Sequence, residues 1–213
     1  MYYNYFKSLF DLILAVISII ILSPLLLIVS ILVKLDSKGP VIYKQKRSGK
    51  DYLTFDVYKF RTMKEGSDKK GIITCNDDKR ITRLGKYLRR LKIDELPQLF
   101  NIVKGEMSFV GPRPQPPEDV QRYGEKEKVL LSVKPGITSP ASIKYSDEEY
   151  SLPDDPKALE TFYYTSVLPK KLACDIKYFK KPGFIGDVMI ISSTAILILG
   201  KILSIFMPIL SQK

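Results

Sequence analysis

The stretch Leu12–Val33 holds 22 residues without a charge, and any fold open to this chain has to find a place for it. At about 1.5 Å of helical rise per residue it is long enough to cross the hydrocarbon core of a bilayer. It is a poor signal peptide, because Asp11 stands before it and no small-residue cleavage site follows it. Ser23-Pro24 falls at its middle. Proline there removes a backbone donor and crowds the preceding turn, which predicts a kink. Lys7 lies on one flank and Lys34, Lys38, Lys44, Lys46 and Arg47 on the other, so the positive-inside rule draws the C-terminal flank to the cytoplasm. Two topologies fit. One is a straight span with its N-terminus outside, the commoner arrangement for such a stretch. The other is a helix broken at Ser23-Pro24 that enters and leaves by the cytoplasmic face. A second apolar block, Phe184–Leu210, is interrupted by Gly186, Asp187, Lys201 and Pro208. It can span, lie in the interface or pack on the first.

The charge is as unevenly spread as the apolar content. The chain carries a net +11, and between Lys34 and Lys104 there are 19 Lys and Arg against 9 Asp and Glu. A basic surface next to a membrane segment favours anionic head groups or a phosphorylated substrate over nucleic acid. There is no histidine, which excludes His-based triads and leaves any metal to oxygen ligands, favouring Mg²⁺ or Mn²⁺. Cys75 and Cys174 have no metal-binding spacing and no secretory disulfide pattern, so a reducing compartment is the default.

After Gly39-Pro40, Val41–Gln45 and Tyr52–Phe60 are expected as strands joined by a turn at Arg47–Asp51, the second delivering Lys59 and Arg61 at its end. Glu65–Gly71 is polar and expected as a loop. Ile81–Leu91 has a helical apolar pattern, Val103–Pro117 is non-helical, and Pro116–Ser132 reads as a charged surface helix. Lys134–Ser142 is a loop of small residues. Asp155–Lys181 reads as one long helix with a basic C-terminal half, suited to a membrane surface.

The chemistry concentrates in Leu88–Gln98, where Arg89, Arg90 and Lys92 precede an adjacent carboxylate pair, Asp94-Glu95, with Pro97 behind it. Proline is tolerated in a first helical turn, so Asp94 or Ile93 is expected as the N-cap of a helix running to about Val103. An ionised carboxylate beside cations can be a nucleophile, a metal ligand or a general base. It can equally be an acidic cap within a solvated charge run. Further on, Gly111-Pro112-Arg113-Pro114 fixes the backbone on both sides of one arginine, as gripping a phosphate in set geometry requires. A stiff connector would look the same.

Taken together, these blocks resemble the bacterial sugar transferase family, the monotopic phosphoglycosyl transferases. The resemblance runs through Tyr58–Met63, Asp78–Arg90, Asp94–Asn101, Gly105–Pro114 and Lys134–Thr138, in order, and extends from about Phe6 to Ile190. It implies an undecaprenyl-phosphate phosphoglycosyl transferase. Such an enzyme moves a phosphosugar from a UDP-sugar to polyprenol phosphate, releases UMP, and passes through a covalent aspartyl-phosphosugar intermediate. By the same resemblance Asp94 is the nucleophile and Glu95 an acid associated with Mg²⁺, so that both carboxylates are candidate metal residues. Lys59, Arg61, Arg89 and Arg113 are candidate substrate contacts. Lys7 and Asp11 match a basic residue and an Asp that the family carries ahead of its membrane helix. The family's first helix is re-entrant and broken at a Ser-Pro, which reverses the preference for a straight span and makes Ser23 and Pro24 the break.

The expected fold is therefore α+β and mainly helical, a membrane-anchored single domain with a re-entrant N-terminal helix, a small β-hairpin and interfacial amphipathic helices. Its divisions are a membrane segment at 1–38, a cytoplasmic catalytic domain at 39–182 and a C-terminal apolar segment at 183–213. The form resembled is the minimal catalytic one, placed at the bacterial inner membrane with its catalytic domain on the cytoplasmic face. Membrane lipids are expected partners, nucleic acid is not, and a homodimer is allowed. The chain departs from the family's habit at Ser8, at Lys92-Ile93 and at Ser139–Ser142. The last departure bears on sugar or nucleotide specificity. Two rivals remain: a non-catalytic membrane-anchored binding protein of a glycan assembly complex, and an ordinary glycosyltransferase, which would release UDP. No Asp-x-Asp motif on a nucleotide-binding strand supports the second.

Overall fold

The structure, a computed structural model of the 213-residue chain, describes residues 2–67, 78–147, 153 and 155–210. From residue 68 onward the loop expected at Glu65–Gly71 lies outside the described residues, as does Cys75.

The protein is mostly helical. Helix α1 spans Tyr2–Asp36 and is followed by an antiparallel hairpin of β1 (Ile42–Ser48) and β2 (Thr54–Phe60). Next come α2 (Arg83–Arg90), α3 (Gln98–Val103), β3 (Ser108–Val110), α4 (Pro117–Val120), β4 (Gly136–Thr138) and α5 (Pro140–Lys144). Then α6 (Pro156–Phe162) and α7 (Leu168–Phe179) lead to α8 (Phe184–Leu210). β3 and β4 pair in parallel, Ser108 opposite Gly136 and Val110 opposite Thr138.

The expected hairpin is present but its turn sits two residues later, so Arg47 belongs to β1 and pairs with Phe55. Asp51 and Tyr52 carry the tight reversal with φ of 54° and 63°. The expected helix at 81–91 begins at Arg83, where the Thr82 side chain accepts from Gly85 N, the usual N-cap role of threonine. The charged helix expected over Pro116–Ser132 is not one helix. It is α4 and a separate 3₁₀ turn at Glu127–Leu131, with Gly124 between them and no continuous apolar face to hold the two together. Pro140 and Ser139 convert the end of the expected small-residue loop into the start of α5, where Ser139 Oγ accepts from Ser142 N at 3.1 Å.

The helix expected over Asp155–Lys181 is present with an internal register change. Residues Tyr163–Val167 form a π turn between α6 and α7. Pro169 at the start of α7 has no N–H for the carbonyl four residues back, and a widened turn there accommodates the loss.

Helix α1 continues through Pro24. Proline leaves the Ile20 carbonyl without its usual donor, and Ser23 Oγ donates to that oxygen at 2.8 Å, so the helix loses no bond at its expected break. Over its length of about 50 Å, α1 keeps one face against the rest of the protein. Asp11 and Ala15 are buried, Ile19 and Leu22 pack with Val57, Leu99, Ile102 and Met107, and Leu26, Val29 and Val33 pack with Phe60 and Leu88. Each fully buried aliphatic of this set contributes about 2 kcal/mol of transfer free energy. The opposite face is bare, with Ile20 and Ile21 about 70% exposed.

Helix α8 repeats the pattern. Ile190 is buried, Thr194 Oγ1 shares a 2.7 Å hydrogen bond with Thr138 Oγ1, and Lys201 Nζ donates to Asp147 Oδ1 at 2.7 Å. Ile185, Met189, Ile196, Leu199 and Leu203 face outward. Both helices are long and apolar enough to cross a membrane, and each presents a continuous apolar stripe away from the body.

Candidate active site

The carboxylate pair does not open α3. Lys92 adopts φ 57°, reversing the chain after α2, and Ile93–Glu95 form a 3₁₀ turn of their own. The cause is Pro97, which has no N–H to reach the Ile93 carbonyl. Leu96 N donates to it instead at 3.2 Å, and α3 begins only at Gln98. The turn buries both Asp94 and Glu95. Asn101, fully buried, ties α3 to β2: its Oδ1 accepts from Tyr58 N at 3.0 Å and its Nδ2 donates to Asp56 O at 2.7 Å. This sets the turn beside the end of the strand that carries Lys59.

Three donors converge on Glu95. Lys59 Nζ donates to Oε1 at 3.0 Å, Arg113 Nη2 to Oε1 at 2.8 Å, and Arg113 Nη1 to Oε2 at 3.4 Å. Burial raises the Glu95 carboxyl, but Arg113 and Lys59 outweigh it and hold the group well below the usual carboxylate range. Asp94 behaves oppositely. Burial and the neighbouring Glu95 charge raise it to about 6, against the pull of Lys59, Arg89 and Lys92. Asp94 Oδ1 is buried and, among the described residues, has no hydrogen-bond partner. A buried carboxylate oxygen left bare costs stability. Its retention is characteristic of a site that keeps a reactive group available.

Arg113 is aimed by its backbone. Gly111 N donates to Thr138 O and Gly136 N to Pro112 O, both at 3.0 Å, while Ser48 N donates to Gln115 O at 2.9 Å. Gly111 and Gly136 lie back to back, and a Cβ on either would strike the other segment's backbone. The Gly-Pro-Arg-Pro loop is thus pressed flat on the strand of the Pro-Gly-Ile-Thr segment, with β1 on its other side.

Of the residues expected at the site, the structure brings together Asp94, Glu95, Lys59 and Arg113, and puts Arg89 within electrostatic reach of Asp94. Arg61 is elsewhere. Its guanidinium donates to Val33 O at 3.2 Å, Ser37 O at 2.5 Å, Ser37 Oγ at 3.2 Å and Pro40 O. It therefore collects the carbonyls that end α1 and is buried doing so, which corrects its expected place among the substrate contacts. Alternation would put Arg61 on the face of Lys59, two residues earlier, but β2 ends at Phe60 and the side chain of Arg61, beyond the strand, is drawn instead to the end of α1.

Lys7 and Asp11 are also accounted for. Lys7 Nζ lies 2.8 Å from Asp187 Oδ2 and 3.7 Å from Asp11 Oδ2, while Ser108 Oγ donates to Asp11 at 2.7 Å and Tyr178 OH to Asp187 at 2.7 Å. Sequence reasoning missed Asp187 and Tyr178, which lie some 170 residues away along the chain, and Arg47, which it placed in a turn.

No cluster of three or more metal-ligating side chains occurs among the described residues. Mg²⁺ needs none, since it is commonly held by one or two carboxylates together with substrate phosphates. The bare Asp94 Oδ1 next to Glu95 fits that use.

A profile of the bacterial sugar transferase family matches residues 2–201. A UDP-N-acetylgalactosamine-undecaprenyl-phosphate N-acetylgalactosaminephosphotransferase of Aeromonas hydrophila is 36% identical over 196 residues, covering 90% of this chain and 43% of its own. An undecaprenyl-phosphate glucose phosphotransferase of Komagataeibacter xylinus is 38% identical over 196 residues, covering 88% and 35%. A UDP-glucose:undecaprenyl-phosphate glucose-1-phosphate transferase of Xanthomonas campestris pv. campestris is 36% identical over 206 residues, covering 93% and 40%. The chain thus spans about two-fifths of the length of these relatives.

Proposed function

The chain belongs to the bacterial sugar transferase family, and from that premise we propose that it is an undecaprenyl-phosphate sugar-1-phosphate transferase. Its donor is a UDP-sugar, its acceptor is undecaprenyl phosphate, and its reaction begins the assembly of a surface glycan. The observation that carries the reading is the bare, buried Asp94 Oδ1 beside a Glu95 gripped by Lys59 and Arg113.

The Asp94 carboxylate attacks the sugar-bearing phosphorus of the donor. An O–P bond forms, the bond from that phosphorus to the bridging oxygen breaks, and the electron pair leaves on UMP. An oxygen of the polyprenol phosphate then attacks the same phosphorus, and Asp94 departs as the free carboxylate. Two anions approach each other in both steps, so fixed positive charge is the main requirement. Arg113 and Lys59, already aimed at Glu95, supply it, and Arg89 adds to the field at Asp94. Glu95 holds the two cations in place. Mg²⁺, held by Asp94 and Glu95, would screen charge on the donor phosphates. Splitting the transfer lets one site serve a water-soluble donor and a lipid acceptor in turn.

The same reading puts the protein at the inner membrane with its catalytic body on the cytoplasmic face. Contacts of α1 with the body extend along one face from Asp11 to Val33, which keeps both ends of the helix beside the body and supports the re-entrant reading over a straight span, although α1 runs through Ser23 and Pro24 as one continuous helix.

The test is nucleotide release. The full chain in nanodiscs is given Mg²⁺, undecaprenyl phosphate and a panel of UDP-sugars. UMP release that depends on Asp94 is expected. UDP release would instead indicate an ordinary glycosyltransferase, and no release with any donor would favour a binding role.

A further inference from the structure

Arg47 stands apart from the other cations of the centre. It lies on β1 on the same face as Tyr43, whose cross-strand partner is Lys59, and it is more than half buried. The bond from Ser48 N to Gln115 O fixes it alongside the loop that carries Arg113. Among the described residues its side chain makes no hydrogen bond and no ion pair. Asp119, an acid in electrostatic reach, accepts instead from Tyr164 OH at 2.8 Å. Tyr163, the first residue of the π turn, is also within reach of Arg47. Two guanidinium groups thus lie within electrostatic reach of each other, one clamped on Glu95 and one with no side-chain partner among the described residues. Burial and the like charge of Arg113 lower Arg47 to about 10, the mark of a cation that an incoming anion would relieve. A forked donor of this kind matches phosphate oxygens, and π turns recur at functional sites.

We propose that Arg47 binds the phosphate that departs with the nucleotide, with Tyr163 beside the nucleoside end. The inference rests on the phosphosugar transfer proposed above and divides the donor's diphosphate between two arginines. Arg113 and Lys59 serve the phosphorus that Asp94 attacks, and Arg47 serves its neighbour. As the O–P bond to Asp94 forms and the bridging bond breaks, the electron pair and the added negative charge settle on UMP, where the Arg47 N–H groups meet them. No proton has to move. The lipid acceptor also carries a phosphate, so the test must separate the two sources.

The full chain in nanodiscs is compared with Arg47→Ala and Arg47→Lys in three measurements: UMP binding by calorimetry, UMP release from the donor without acceptor, and discharge of the preformed phosphosugar-enzyme by undecaprenyl phosphate. For Arg47→Ala, UMP affinity is expected to fall more than tenfold and release about 100-fold, while discharge stays within about threefold of the parent. Arg47→Lys keeps the charge and stem but not the fork. It is expected to lie between the two, and it serves if the alanine variant does not fold. Unchanged UMP affinity overturns the proposal, and so does an equal loss in discharge, which would assign Arg47 to the lipid phosphate. Absence of UMP release by the parent would overturn the transfer reading instead, and the calorimetry of parent against variant would still judge Arg47.

Discussion

Arg113 reaches Glu95 with both arms of its guanidinium, Nη2 to Oε1 at 2.8 Å and Nη1 to Oε2 at 3.4 Å. The acid just before it in the chain, Asp94, is left with one buried oxygen that has no hydrogen-bond partner among the described residues. The two neighbours therefore have different properties despite one shared turn. Glu95 is an anion fixed by Lys59 and Arg113, and Asp94 is the carboxylate that those cations leave unbonded.

Replacing Asp94 with Asn or Ala should abolish transfer and the covalent intermediate, while Asp94→Asn should melt at a higher temperature than the parent at pH 7. The neutral amide removes a buried charge that burial and Glu95 both oppose. Thermal unfolding and UMP release on the same sample check both halves. Near-normal turnover by either variant would exclude Asp94 as the nucleophile.

The first half-reaction should depend on pH through Asp94. The group must be ionised to attack and its value is raised to about 6, so kcat/KM should rise about tenfold per pH unit up to about 6 and level above it. Stability runs the other way. A carboxyl raised on folding adds stability that is complete below its unfolded value near 4 and is lost as pH climbs through 6. Lys59→Met removes a cation that lowers Asp94, so the kinetic limb should move to higher pH.

Arg61→Ala should cost stability rather than substrate affinity. The arginine is buried and bonded to Val33, Ser37 and Pro40, and leaving those carbonyls bare costs about 3 kcal/mol. A drop in melting temperature with donor KM unchanged is expected. A raised KM with an unaltered melting temperature would restore Arg61 to the substrate contacts.

Gly136→Ala should damage turnover without unfolding the protein. The new methyl meets Gly111 and pushes the Arg113 loop off its strand. A displacement of about 1 Å at a positioning group can cost about 100-fold in rate. Circular dichroism should match the parent while kcat falls.

Cysteines placed at Ser8 and Ser37, with Cys75 and Cys174 replaced by serine, should react with an impermeant reagent from the same side of the membrane. Labelling from opposite sides would establish a straight span for α1 and sink the re-entrant reading.

Local order carried much of this into the sequence. Lys59, Asp94, Glu95 and Arg113 stand in short runs whose residue types already suit phosphate chemistry, and a run without charge can only mean lipid or core. What could not be read locally depended on partners far along the chain. Asp187 matters because Lys7 meets it, and the β3–β4 pair is too short to leave a period. Arg61 looks equivalent to Lys59 because an extended strand would put the two on one face, and only the strand's end at Phe60 and the distant carbonyls of Val33 and Ser37 separate them. Pro97 was read correctly as a helix-start residue, but its missing N–H places the carboxylates one turn ahead of α3 rather than within it.

The buried stripe of α1 has a consequence for biogenesis. Ribosomal synthesis delivers this helix before any of the residues that cover its inner face, so its apolar stripe is complete while Val57, Phe60, Leu88 and Leu99 are still to be made. The later chain must then condense onto a helix already made, and α8 joins it where Asp187 meets Lys7. The first helix thereby serves as the template on which the body packs, not merely as an element that lies beside it.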